Sequence, residues 1–422
     1  MPIDRDRLWR RIEALAGITD PDRPWTRRSF SPRFIEGRAW LAAEFRASGL
    51  ATSIDAGGNL VGEWAGTDPA LPPIVVGSHS DTVPAGGRFD GILGVIAGLE
   101  VAQGLAERGE RLRHPLKVYD FLAEEPSEFG LSCIGSRAYA GKLTPDMLAL
   151  KRADGVTLRE AMLAVGGRPD ELGSRAAAAP VAAYVELHIE QGRILESAGC
   201  DIGVVTDIVG IRRERITVTG RADHSGTTPM AYRADALVGA AAIIEAVHAK
   251  ALALQAAARP VIGTIGHLVV VPNAANAVPG EVALSLEVRS ADEDAIDRFG
   301  AELLETTRER TEALRLTVRR ELVSHVAPTA CAALIQQAAA DAARLAGYSS
   351  QPIASGAGHD GVFVAATGPI GMIFIPCRDG RSHTPEEWTE PAQAEAGARV
   401  LAETVRLLDH RLAAPGPISP AL

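Results

Sequence analysis

His79 follows the apolar run 74–77 within Gly77-Ser78-His79-Ser80-Asp81-Thr82, so a predicted strand delivers an imidazole at its C-terminal end. It can ligate a metal while Asp81 receives the other ring N–H and fixes the tautomer. The plainer alternative is a hydrogen-bonded turn histidine. Asp90 stands in the loop Gly86-Gly87-Arg88-Phe89-Asp90-Gly91 ahead of a predicted helix, where an aspartate is either an N-cap or a metal carboxylate. Ala123-Glu124-Glu125-Pro126 ends the next predicted strand. Neighbouring strand residues point to opposite sides, so one carboxylate could hold a metal while the other takes a proton from bound water, unless both are merely solvated. Glu186-Leu187-His188-Ile189-Glu190-Gln191 repeats the arrangement at a third strand, and Arg381-Ser382-His383-Thr384-Pro385 follows the last one. Nitrogen and oxygen donors without thiolate suit Zn, Mn, Co or Ni at a site with an open position. Imidazoles, an extra carboxylate and an aspartate able to bridge make two ions the natural count. A pair about 3.5–4 Å apart generates a hydroxide and polarises a carbonyl together.

The elements that must position these side chains alternate as βαβ units: the strand 74–77, helical periodicity over 92–109, a strand 116–122, then a buried strand 181–187 after an Ala-rich stretch expected to be looped around Ala176 to Pro180. Such a parallel sheet gathers functional loops at the C-terminal ends of its strands. From about Ile211 the pattern becomes strand, helix, strand, strand, helix, strand, a split β-α-β-β-α-β unit of ferredoxin-like type. The α/β alternation resumes after it. We therefore expect an α/β metal-binding domain over 1–210 and 329–422, discontinuous around an inserted ferredoxin-like domain over 211–328. The Pro-rich tail from Ala413 is expected to fray.

Composition narrows the partners. The 422 residues are 46% hydrophobic and 23% charged, an ordinary globular balance with room for more than one core. With 43 basic against 53 acidic side chains, a net charge of −10 and no basic run, a nucleic-acid partner is not expected. A charged N-terminus, and the lack of any uninterrupted apolar stretch of about 18 residues, give no reason to expect a signal peptide or membrane span. Four scattered cysteines without a Cys-x-x-Cys pair read as reduced thiols, so a cytoplasmic location is expected.

The ordered set of motifs, from about residue 30 to 410, resembles the dinuclear metallo-aminoacylase and carboxypeptidase superfamily. It is more closely similar to the amidase branch of N-carbamoyl-L-amino-acid hydrolases, allantoate amidohydrolases and β-ureidopropionases. The resemblance implies two divalent ions: His79 and Glu125 or His188 as terminal ligands of separate ions, Asp90 as the bridge and His383 as the remaining ligand. Glu124 matches the general base. Family fold implies a zinc-peptidase-like domain whose inserted domain serves dimerisation. Asp223-His224-Ser225-Gly226 matches the segment whose histidine holds the substrate carbonyl from the partner subunit, although in a generic domain His224 would be an N-cap neighbour. Asn276 and Arg289 resemble the pair that binds a substrate carboxylate. A guanidinium fork suits that geometry, but it also suits a strand-edge ion pair. Gln191 matches a third polar contact.

Ser355-Gly356-Ala357-Gly358-His359-Asp360-Gly361 contains the dinucleotide fingerprint Gly-x-Gly-x-x-Gly, but no strand-turn-helix with a ribose-binding acid accompanies it. It resembles instead the family's substrate-side loop, with Gly358 facing substrate. Neither Gly-x-Ser-x-Gly nor His-Glu-x-x-His occurs, which argues against a serine hydrolase and a classical zincin. One departure stands out: Pro126-Ser127-Glu128-Phe129 replaces the usual Gly-Ser-Arg-Phe, inverting a charge near the site. The expected activity is hydrolysis of a carbamoyl or ureido C–N bond in a small substrate bearing a carboxylate. The rivals are an acyl-amino-acid hydrolase or dipeptidase on the same metal core, and a non-catalytic relative. The last needs broken ligands or a lost base, and neither is seen.

Overall fold

The computed structural model describes residues 3–172, 180–255 and 260–412. The Ala176 to Pro180 stretch, except for Pro180, and the tail from Ala413 lie outside them. The chain divides into two compact units. One comprises Met1–Thr206, Ala330–Ser355 and His359–Leu422, the other Asp207–Thr329 with Gly356–Gly358. The second unit thus begins at Asp207 rather than 211. It also takes in a tripeptide that the sequence reading left in the first, because Arg289 Nη1 donates to the Gly356 carbonyl at 2.8 Å.

The first unit is built on a nine-stranded sheet whose centre is parallel. Leu116–Phe121, Ile74–His79, Ala183–Ile189 and Ile370–Ile375 lie side by side in that order, all pointing the same way. The flanks are antiparallel: Leu60–Trp64 on one side and Ile202–Ile208 on the other. Ile74–His79, Ala183–Ile189 and Ile370–Ile375 are buried along their whole length, as strands covered on both faces must be. Helix Ile92–Glu107 is apolar almost all round and buried to match, and Arg5–Gly17, Ala333–Ala346 and Pro391–Leu412 join it in the main core. Parallelism has one consequence for function. The ends that carry His79, the Glu124-Glu125 pair, His188 and the chain leading to His383 all emerge at one edge of the sheet.

The second unit contains a four-stranded antiparallel sheet in the order Thr317–Val326, Gly210–Thr219, Glu281–Ser290, Ile262–Val271. Numbered in chain order this is 4-1-3-2, with the two helices as crossovers, the ferredoxin-like arrangement expected from the strand and helix pattern. Helices Ala236–Leu254 and Glu293–Ala313 begin at Asp235 and Asp292, whose carboxylates accept first-turn N–H groups. Their inner faces meet alternate strand residues in a core that includes Ile216, Val218, Ile243, Leu284, Leu286, Phe299 and Leu303.

Candidate metal centre

Gly91, at φ +67°, ends the loop that carries Asp90 and opens the buried helix; a Cβ there would lie 2.4 Å from the His79 ring, so only glycine admits the imidazole. Around that contact the donors converge. His79 Nε2 lies 3.5 Å from Asp90 Oδ1, and His188 Nε2 lies 3.1 Å from the same oxygen. The other oxygen, Asp90 Oδ2, lies 3.1 Å from His383 Nε2, which is 3.3 Å from Glu125 Oε1. The ligand atoms therefore form two groups, His79-Asp90-His188 and Asp90-Glu125-His383, sharing one aspartate whose two oxygens face opposite ways.

The imidazoles are set for a cation. His79 Nδ1 is 3.0 Å from the Asp81 carbonyl and His188 Nδ1 is 2.8 Å from that of Ile189. A carbonyl only accepts, so in the neutral rings each Nδ1 carries the hydrogen and each Nε2 turns a lone pair toward a carboxylate. Two lone-pair donors facing each other call for a positive charge between them. This donor set, all imidazole and carboxylate, fits divalent metal ions of the Zn, Mn, Co or Ni kind. A proton on the rings can supply that charge in place of an ion: burial opposes ionisation of Asp90, yet hydrogen bonds from the protonated rings of His188, His383 and His79 hold its carboxyl well below the usual range. Hydrogen bonds with Asp90 and Glu125 push His383 up to about 11.

Asp81 meets the His79 ring N–H through its backbone carbonyl. Its carboxylate lies 3.6 Å from His79 Nδ1, the main-chain carbonyl being the closer partner. Its oxygens instead face the backbone N–H groups of Glu124 and Glu125 at 3.2 and 3.3 Å, fixing the strand exit from which both acids project. Glu124 stands outside both ligand groups, with Oε2 3.7 Å from His79 Nε2 and the Cys133 thiol 3.5 Å from Oε1. Burial raises its pKa well above the carboxylate range, with Glu125, Asp360 and Asp81 adding to the effect against the pull of His79.

Gln191 joins the metal cluster: its Nε2 donates to Asp90 Oδ2 at 2.7 Å and lies 3.2 Å from Ser382 Oγ, leaving its buried Oε1 without a hydrogen-bond partner. Gln191 and His383 both sit at positive φ, as does Ala123 just before the acid pair, a concentration of left-handed non-glycine backbone at the ligand loops. Three buried residues that sequence reasoning passed over also belong here. Glu186 takes hydrogen bonds from Ser78 and Tyr184, the His359 ring packs edge-on against His188 at 4.7 Å, and Glu387 is fully buried. A further ligand-like grouping, Glu186-His188-His359, has its donors committed: both Glu186 oxygens accept hydrogen bonds and His359 Nε2 meets Ser355 Oγ at 2.9 Å.

In the second unit, His224 and Asn276 come together at a two-stranded ladder. His224 pairs with Ala277, and Ser225 N–H donates to the Asn276 carbonyl at 3.0 Å. His224 Nδ1 accepts from Gly226 and Thr227 N–H, so its Nε2 carries the hydrogen and points a donor outward from an exposed ring. Arg289 lies on strand Glu281–Ser290, where Nε donates to Glu287 at 2.7 Å and Nη1 to Gly356, two residues from Gly358.

A parallel-centred sheet that gathers imidazoles and carboxylates around one shared aspartate defines a metal-dependent α/β hydrolase. The chain belongs to Peptidase family M20/M25/M40, which matches residues 75–407. It is 40% identical to the N-carbamoyl-L-amino acid amidohydrolase of Geobacillus stearothermophilus over 96% of this chain and 98% of that one. With the allantoate amidohydrolase of Bacillus subtilis it shares 32% identity, covering 91% and 93% respectively. Among solved structures it is similar to an amidase of the hydantoinase/carbamoylase family from Burkholderia multivorans, with a TM-score of 0.89 and 35% identity over 98% of this chain and 99% of that one.

Proposed function

We propose that this protein hydrolyses the carbamoyl C–N bond of an N-carbamoyl-L-amino acid, giving the amino acid, ammonia and carbon dioxide. The observation that carries the reading is the pair of ligand groups hinged on Asp90, with the buried Glu124 beside them and outside both. Likeness to the Geobacillus amidohydrolase over nearly the full length supports the substrate class.

His79 and His188 with Asp90 would hold one ion, and Asp90, Glu125 and His383 the other. When bound, such ions supply Lewis acidity that makes water nucleophilic at neutral pH and polarises the scissile carbonyl. The protein's own groups do the rest. Glu124 accepts the proton of the attacking water on its carboxylate and returns it to the departing nitrogen; a carboxyl whose proton affinity is raised by burial suits both transfers. His224, with Nε2–H outward, donates to the developing oxyanion. Arg289 and Asn276 clamp the substrate carboxylate beside Gly358, which orients the carbonyl for attack; Gln191, whose amide hydrogens already face Asp90 and Ser382, serves by holding Asp90. His224 serves the site of a partner subunit in a homodimer formed through the second unit.

That unit has the surface for it. Ile262–Val271 is an edge strand of its sheet and leaves Ile262, Leu268, Val269 and Val271 exposed, while helix Ala236–Leu254 exposes Leu237, Val238, Ile244 and Leu252. An open, apolar edge of this kind is a template for pairing with a second copy.

The test is ammonia release after metal removal and reconstitution with Zn, Mn, Co or Ni, across N-carbamoyl-L-amino acids, allantoate and 3-ureidopropionate, with free amine followed from N-acyl amino acids and dipeptides. Metal-dependent ammonia from a carbamoyl amino acid is the expected result. Turnover confined to allantoate, 3-ureidopropionate or the acyl compounds would replace the substrate assignment, and activity insensitive to chelation would overturn the metal centre.

A further inference from the structure

The loops that carry Asp90 and His383 are far apart in the chain and share one buried side chain. Glu387 Oε1 accepts the backbone N–H of Phe89 at 2.7 Å and that of Asp90 at 3.1 Å. Its other oxygen lies 2.9 Å from the Ser382 hydroxyl, which is itself 3.0 Å from Asp90 Oδ2. Gly87, at φ +135°, lets the loop pass directly over this carboxylate; a Cβ there would meet Glu387 Oε1. Glu387 is fully buried, its N–H donates to the Thr384 carbonyl at 3.0 Å, and the next residue, Trp388, packs edge-on against Phe89 at 5.6 Å. The short segment that presents His383 is thus fastened to the loop that presents Asp90 at this carboxylate, with the Ser382 hydroxyl and the Trp388–Phe89 packing beside it.

We infer that Glu387 is a positioning residue that holds the two ligand loops in register, so that Asp90 can face both ligand groups at once. The inference rests on the metal-centre reading above. Chemistry favours it over simple loop support. The two N–H groups that Glu387 receives belong to Asp90 and its neighbour, and the hydroxyl it meets belongs to the residue beside His383. Moving the carboxylate would therefore displace Asp90 relative to His383, the pair on which the Asp90-Glu125-His383 group depends. His383 is the most exposed of the candidate ligands, so it has the least packing of its own to keep it in place.

The test is zinc binding by the metal-free full-length protein, followed by calorimetry and by metal content after dialysis, with circular dichroism to check the fold. Glu387→Ala should weaken zinc binding by about ten-fold or more, the size expected when support behind a ligand is lost. Glu387→Gln should rescue most of the affinity, because its amide oxygen can still accept both N–H groups. Parent-like affinity in a folded Glu387→Ala protein would overturn the inference, as would Glu387→Gln binding zinc as weakly as Glu387→Ala. Should Glu387→Ala not fold, Ser382→Ala decides: weaker binding at one of the two sites supports the inference, and two parent-like sites overturn it. Failure of the parent protein itself to bind zinc would instead overturn the metal centre on which the inference stands.

Discussion

Glu124 and Glu125 are adjacent, both buried and both anchored through their backbone N–H groups by Asp81, yet they enter different chemistry. Glu125 turns toward His383 while Glu124 turns toward His79, so the loop that follows strand Leu116–Phe121 aims the two carboxylates at different imidazoles, as a proposed ligand and a proposed base require. Glu124→Gln should lower kcat by about 10² to 10⁴, the range for loss of a general acid–base, while zinc content stays that of the parent. Glu125→Gln should cost metal as well as turnover. Equal metal loss in both variants would show that Glu124 is a ligand and not a base. Residue identity and spacing made these two legible before any fold was in view. Glu387 was not legible, because its partners Phe89 and Asp90 lie 298 and 297 positions away and are backbone groups without a side-chain signature. At Asp81 the His-x-Asp spacing places the residue beside the ring, and the fold decides that its main-chain carbonyl, at 3.0 Å, rather than its carboxylate, at 3.6 Å, is the nearer acceptor.

The element that sets the site in place is the buried helix Ile92–Glu107, which starts one residue after Gly91 and lies on the sheet at Gly94. A Cβ at Gly94 would sit 2.5 Å from the Leu187 carbonyl, one residue before His188, and 2.8 Å from Ser78, one residue before His79. Gly94→Val should cost about 1–3 kcal/mol of stability, as overpacking does, and should weaken zinc binding because the helix is pushed away from both ligand strands. Thermal denaturation with and without metal would check this, and an unchanged midpoint would show that the sheet yields without cost. The apolar runs of this element and of the three central strands it covers are what made the parallel sheet readable. The antiparallel edge formed by Ala51–Ile54 and Leu60–Trp64 was not readable: both strands are short, and the first, with Thr52 and Ser53 side by side and no fully buried residue, carries little of the burial signal.

At the scale of the whole molecule the open edge strand Ile262–Val271 is where the proposed dimer would form. Val269→Lys places a charge on its exposed face and should give a monomer by size-exclusion chromatography with light scattering, if the parent is a dimer through this edge. If His224 acts across subunits, that monomer should also lose turnover while keeping its metal. Mixed His224→Ala and Glu124→Gln subunits should then regain activity, and a mixture that stays inactive would assign His224 to its own subunit. The second unit also leaves and re-enters the first at neighbouring points. Ile211 pairs with Val326 inside the insert, and within the first unit Cys331 N–H donates to the Thr206 carbonyl at 2.9 Å. Both broken ends therefore lie one strand spacing apart, about 5 Å. A segment with such termini is portable: residues 207–329 expressed alone should fold cooperatively, and the remainder, rejoined by a few glycines, should keep its sheet. A lineage could gain or lose the segment in one genetic step without rebuilding the framework that carries the ligands.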